Sequence, residues 1–158
     1  MIALISGSNK DIRTNVAVAY VVDKYNKDNS LNIYSTTKLH NIKYNNLTIT
    51  ELLDISYHDI GYSCIICEGG KLFKDEQIAI IIARKYFQHF RMLDVSLYLI
   101  NEVKYNINKN EEYCNSINKY IKCNLTNNDI INLEIKEKGI NGNSQVRYSA
   151  TQYRKYYN

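Results

Sequence analysis

The sequence predicts an α/β fold, a mostly parallel sheet flanked by helices with a β-hairpin at its C-terminal end. Three observations predict it. Apolar runs of strand length alternate with longer stretches of helical periodicity, which is the pattern of crossover connections between parallel strands. The final third changes to strand-like runs separated by a glycine-bearing turn. The 158 residues are 45% hydrophobic, enough for one core, and no linker, repeat or low-complexity segment divides them. One domain over residues 1–158 is the simplest account.

The elements follow in order. Residues 2–6 read as a short buried strand. Residues 14–25 carry Val16, Ala17, Val21 and Val22 at helical spacing. Residues 31–35 read as a second strand. Thr48 stands three residues before Glu51, the spacing of a capping box, and opens a short helix through Ile55. Residues 62–67 are a third strand, 75–90 a strongly periodic helix and 94–100 a fourth strand. Residues 111–120 read as helix. Strands are expected at 121–125, 130–136 and 145–149, the last two joined through the turn at 138–143. A short helical tail over 150–156 closes the chain.

Composition narrows the setting more than the chemistry. The net charge of +4 permits a phosphate-bearing partner without requiring one. No basic run marks a nucleic-acid arm, and the 15 tyrosines form no basic-aromatic repeat. Proline and tryptophan are absent while Asn, Ile, Lys and Tyr dominate, a signature of AT-rich coding. Cys64 and Cys67 have a Cys-x-x-Cys spacing, but residues three apart in a strand point to opposite faces, so two buried free thiols are expected rather than a metal pair. Cys114 and Cys123 have no accompanying histidines, and His40, His58 and His89 do not cluster. No signal peptide and no membrane-spanning run are read, so a reduced, intracellular setting is expected, host cytoplasm or virion.

The motif that raises a functional question is Gly7-Ser8-Asn9-Lys10-Asp11-Ile12-Arg13-Thr14. A strand, a glycine, a polar loop and then a helix are the layout of the phosphate-binding P-loop, G-x-x-x-x-G-K-[ST]. There the loop's backbone N–H groups surround the phosphates, a lysine adds charge and the hydroxyl ligates magnesium. Gly7 and Thr14 are in register with that motif. Ile12 replaces its second glycine and Arg13 its lysine. Residues 63–68, Ser-Cys-Ile-Ile-Cys-Glu, supply a strand ending in glutamate, with Cys67 where a magnesium-linked aspartate would stand. Glu68 is then the water-polarising position. Asn101, at the end of the fourth strand, occupies the place of a polar residue that senses the γ-phosphate; asparagine there is also an ordinary turn former.

In this order the pieces resemble the small P-loop ATPases of viruses and phages, the genome-packaging and zonula-occludens-toxin-like group of the additional-strand (RecA-type) ATPases. Residues 2–7 are similar to the lead-in to the Walker A loop. Residues 32–39 resemble a "V-Y-S-N-x-x-L" strand, and 68–73 a "D-E-x-x-x-L-F" motif without its aspartate. Residues 83–91 resemble an "R-K" helix, 94–101 an "h-h-h-T-Q" strand and 150–157 an "A-x-x-Y-x-x-Y" close. The resemblance implies a P-loop NTPase-like domain with Gly7, Lys10, Arg13 and Thr14 at the nucleotide and Thr14 at the metal. It implies Glu68 as a vestigial Walker B glutamate and Asn101 as the sensor position. Arg84, Lys85 and Arg91 become candidate trans-acting or DNA-contacting residues, although each also suits a solvated helix face.

Scaffold positions are kept while those that do chemistry are changed. The expectation is a pseudo-ATPase of a virus or mobile element. It would serve as a binding or structural subunit in DNA packaging, assembly or DNA handling, beside viral DNA or an active ATPase paralogue, and possible as a homo-oligomer. No cofactor is expected; ATP and Mg enter only if the loop is still competent. One alternative is an active but atypical NTPase in which Arg13 or Lys10 replaces the lysine. Another is a magnesium-dependent DNA nuclease built on Asp59, Glu68 and Lys71.

Overall fold

The structure, a computed structural model of the chain, describes residues 1–7, 9–54, 61–68, 95–101, 118–126, 130–137, 139–140, 142 and 144–149. The expected helix over 75–90, most of that over 111–120, the tail, and Asp59, Lys71, Arg84, Lys85, Arg91 and Cys114 lie outside the described residues.

Strand β1 (Ile2–Ser6) leads into helix α1 (Lys10–Lys27). Strands β2 (Asn32–Ser35) and β3 (Asn45–Asn46) follow, then helix α2 (Ile49–Asp54) and strands β4 (Ser63–Glu68) and β5 (Val95–Asn101). Strands β6 (Lys119–Leu125), β7 (Ile130–Glu137) and β8 (Ser144–Ser149) complete the described elements. All eight strands form one sheet in the order β3-β2-β4-β5-β1-β6-β7-β8. The pairings from β3 to β6 are parallel, and β6–β7 and β7–β8 are antiparallel. The terminal strands thus extend the parallel sheet instead of covering its edge. No helix among the described residues is long and apolar enough to cross a membrane.

Burial follows pairing. The central parallel strands are apolar on both faces, as strands covered on both sides must be. One face presents Ala3, Ile5, Cys64, Ile66, Tyr98 and Ile100 to helix α1 through Val16, Ala17 and Val21. The other face buries Ile2, Leu4, Ile65, Cys67 and Leu97. In β6 and β7 the pattern becomes alternating: Ile121, Cys123, Ile131, Leu133 and Ile135 are buried, and Lys122, Glu134 and Lys136 are exposed. Cys64, Cys67 and Cys123 are buried thiols that form no disulfide.

Three sequence expectations need correction. Helix α1 begins at Lys10, four residues before the expected start, because Asn9 caps it there. Its side-chain oxygen accepts hydrogen bonds from the Asp11 and Ile12 N–H groups. Lys119 and Tyr120 are strand and not helix. They pair with Ala3 and Leu4, and Asn118 locks the start of β6 by exchanging hydrogen bonds with the Ile2 backbone. Strand β3 was not foreseen, since two exposed asparagines beside Tyr34 and Ser35 have no periodicity to detect. The capping box of α2 forms as its spacing requires: the Glu51 N–H donates to Thr48 Oγ1 and the Thr48 N–H to Glu51 Oε2, at 3.1 and 2.7 Å.

Candidate functional site

In an open parallel sheet, ligands bind outside the carboxyl ends of the strands. Here those ends bring together Gly7 after β1, Thr36 after β2, Glu68 in β4 and Asn101 in β5. Ser6 is level with Asn101, and Glu68 with Ile100. Strand β5 lies between β1 and β4, so a group reaching from Gly7 to Glu68 must cross its end. The residues singled out on the P-loop and on the glutamate strand are therefore neighbours at this end. For Asn101 only the register position is defined. Lys10 is exposed on the first turn of α1, and Thr14 is buried in the second.

The loop itself departs from the expected form. Only residues 7–9 separate β1 from α1, so Asp11, Ile12 and Arg13 belong to the helix. A phosphate cradle needs free backbone donors at this point. The Asp11 and Ile12 N–H groups already donate to the Asn9 side chain, and the Arg13 N–H donates to the Asn9 carbonyl at 3.1 Å. Ile12, at the place of the second glycine, is core: it packs in the cluster with Ala3, Ile5 and Val16.

Arg13 folds back under the loop. Its Nη1 donates to the Gly7 carbonyl, and its Nη2 lies 3.6 Å from Glu68 Oε1. That separation exceeds a hydrogen bond, so the second contact is ionic. The two side chains are only 4% and 8% exposed. The guanidinium thus spans the ends of β1 and β4 across β5, at the mouth of the crevice. Arg13 Nε is buried without a hydrogen-bond partner. Both amide atoms of buried Asn15 are also without one, and nothing in the described residues explains this.

Two residues that sequence reasoning did not select hold the site. Thr36 Oγ1 accepts the Glu68 N–H at 2.9 Å and donates to the Glu68 carbonyl at 3.3 Å, tying the ends of β2 and β4 together. Cys123 in β6 lies against Gly7. A Cβ placed on Gly7 would come within 2.5 Å of the Cys123 carbonyl oxygen, so glycine here serves the close approach of β6. The signal for Asn9 was legible: an asparagine two residues before an acidic first-turn residue is an N-cap pattern. Thr36 and Cys123 act through tertiary contacts that leave no local signature.

Two buried thiols flank the site. Burial pushes the Cys67 thiol up to about 12, opposed by the Thr36 hydroxyl and reinforced by the Glu68 charge. Burial also pushes Cys123 up to about 12, with the Arg13 guanidinium opposing. A neutral thiol at the aspartate position offers nothing to hard Mg²⁺. With the helix donors engaged by Asn9 and a guanidinium at the crevice mouth, the residues present do not fit a magnesium triphosphate.

No protein-family model matches the chain, and no curated protein does. Solved structures match its fold. The N-terminal domain of zonular occludens toxin from Neisseria meningitidis aligns over 99% of this chain and 98% of its own, with a TM-score of 0.69 at 10% identity. A KaiC-like protein from the hyperthermophilic archaeon Pyrococcus horikoshii aligns over 93% of this chain and 83% of its own, with a TM-score of 0.58 at 9% identity. The fold is P-loop ATPase-like, a mostly parallel sheet with helices, as the order of elements predicts.

Proposed function

We propose that this protein is a P-loop ATPase-like domain that does not hydrolyse nucleotide and acts as a binding or structural subunit, a pseudo-ATPase. The observation that carries the reading is the placement of Arg13. Its guanidinium engages the Gly7 carbonyl and Glu68 together, so the charge that would meet a phosphate is paired within the chain. The Asn9 cap supports it by engaging the first helix donors. Glu68 lies beside a guanidinium, a poor setting for a group that must draw a proton from water.

The AT-rich composition and the motif order that resembles viral packaging ATPases support a role in DNA handling or assembly for a virus or mobile element. The fold likeness to the zonular occludens toxin domain agrees with that. An active paralogue or DNA would be the partner.

Magnesium tripolyphosphate, which has the phosphates of ATP but no base, tests the phosphate site alone. Binding to the native state must raise the melting temperature. At millimolar concentration no rise is expected, and no phosphate release from ATP above a protein-free blank. A rise of several degrees, or release abolished by Glu68→Gln, would overturn the reading.

A further inference from the structure

A cavity of about 450 Å³ opens at the other end of the sheet. It lies between the last turns of α1, the start of β2 and residues 41–45, with ~24 Å of helix separating Asn9 from Tyr25. Its size falls in the range of small-ligand sites. The walls combine three chemistries. Tyr25 and Tyr44 supply aromatic faces, and Tyr25 is 42% exposed. Asn29 and Asn32 supply amides that are both donor and acceptor, and Asn45, whose Nδ2 donates to the Ile33 carbonyl at 3.3 Å, presents its amide oxygen. Among the described residues of the lining, Lys43 is the one charge and none is a carboxylate. Val22, Ile33 and Ile42 provide an apolar floor.

We infer that this cavity binds a single nucleotide, as a free mononucleotide or as one unit of a single strand. A planar base matches aromatic side chains by stacking, and stacking tolerates any base. A base edge carries donors and acceptors side by side, which asparagine amides satisfy. One phosphate matches one lysine. No carboxylate among the described lining residues opposes it by repulsion. The site is independent of the Arg13 crevice and stands whether or not that crevice is closed.

The test is a titration of isotope-labelled protein with UMP, with AMP and with a short oligothymidylate, followed by amide chemical shifts. Shifts are expected over residues 25–33 and 41–45, with none at 9–13 or at Glu68. Tyr44→Ala should weaken binding by about tenfold or more, the range of one base stack, while Tyr44→Phe retains it. If Tyr44→Ala fails to fold, exposed Tyr25→Ala carries the same comparison. Lys43→Ala should weaken UMP and leave uridine unchanged. Tighter binding of the oligonucleotide than of UMP assigns the site to a strand, and equal binding to a free nucleotide. The inference is overturned if none of the three ligands shifts these residues at millimolar concentration. It is equally overturned if ribose 5-phosphate or glucose shifts them as strongly, or if the tyrosine variants bind like the parent.

Discussion

The two ends of helix α1 meet opposite conditions. At its N-terminus, beside the carboxyl ends of the strands, the chain's own groups engage one another: Asn9 holds the helix donors, and Arg13 meets the Gly7 carbonyl and Glu68. At its C-terminus an open cavity lies beside Tyr25 and Lys43. The difference teaches that a fold fixes where backbone ends converge, while side chains decide what meets there. Arg13 differs from a lysine in what it can hold. A lysine presents one compact charge, whereas a guanidinium spreads donors over a plane and can hold a carbonyl and a carboxylate together.

The largest effect that would sharpen this contrast is at the buried pair. Arg13→Ala should lower stability by about 3–5 kcal/mol, because Glu68 loses its buried counter-charge. Urea unfolding measures it. Arg13→Met combined with Glu68→Leu should recover most of the loss, and a cost equal to the sum of the single changes would show the two are not coupled.

Alkaline pH should come next. Cys67 and Cys123 titrate at about 12 when folded, against 9.0 when free. Above pH 9 the unfolded chain therefore releases protons that the folded chain keeps, so stability is full below 9 and falls as pH rises toward 12. The slope is about 1.4 kcal/mol per pH unit for each thiol. Cys123→Ala should flatten the fall between pH 9 and 11; an unchanged slope would place that thiol in water.

Gly7→Ala should cost about 1–3 kcal/mol, through the clash with the Cys123 carbonyl and not through lost phosphate binding. Thermal melts without ligand show it, and an unaltered melt would mean β6 has room to give. The smallest effect is at the cap. Asn9→Ala should cost about 1 kcal/mol, similar to Thr48→Ala in the capping box of α2. A negligible change at Asn9 would mean the α1 donors are not held by its side chain.

Much of the scaffold was legible in the residues. Strand runs such as Ile2–Ser6 and Ser63–Glu68 are buried on both faces and carry continuous apolar sequence. The capping box at Thr48 and Glu51 is a local signal with a local structure. What local reading missed is what depends on distant chain. The helix start moved to Lys10 because an N-cap residue can be read as loop when a motif asks for loop. Tyr120 joined β6 because Leu4 in β1 was there to pair with it. At the site, Gly7, Arg13 and Glu68 were singled out for roles toward a nucleotide, and the contact of Arg13 with the other two was not foreseen. A side chain placed at a lysine position says nothing about whether it reaches outward to ligand or back to its own backbone. Thr36 and the cavity beside Tyr25 arise from strands and loops that meet only in three dimensions.

A crystal of the protein soaked with a non-hydrolysable ATP analogue and magnesium tests the central claim most directly. The account predicts that the Arg13 guanidinium stays between the Gly7 carbonyl and Glu68, with no triphosphate at the N-terminus of α1. A triphosphate seated on the Lys10, Asp11 and Ile12 N–H groups, with Arg13 swung away from Glu68, would contradict it.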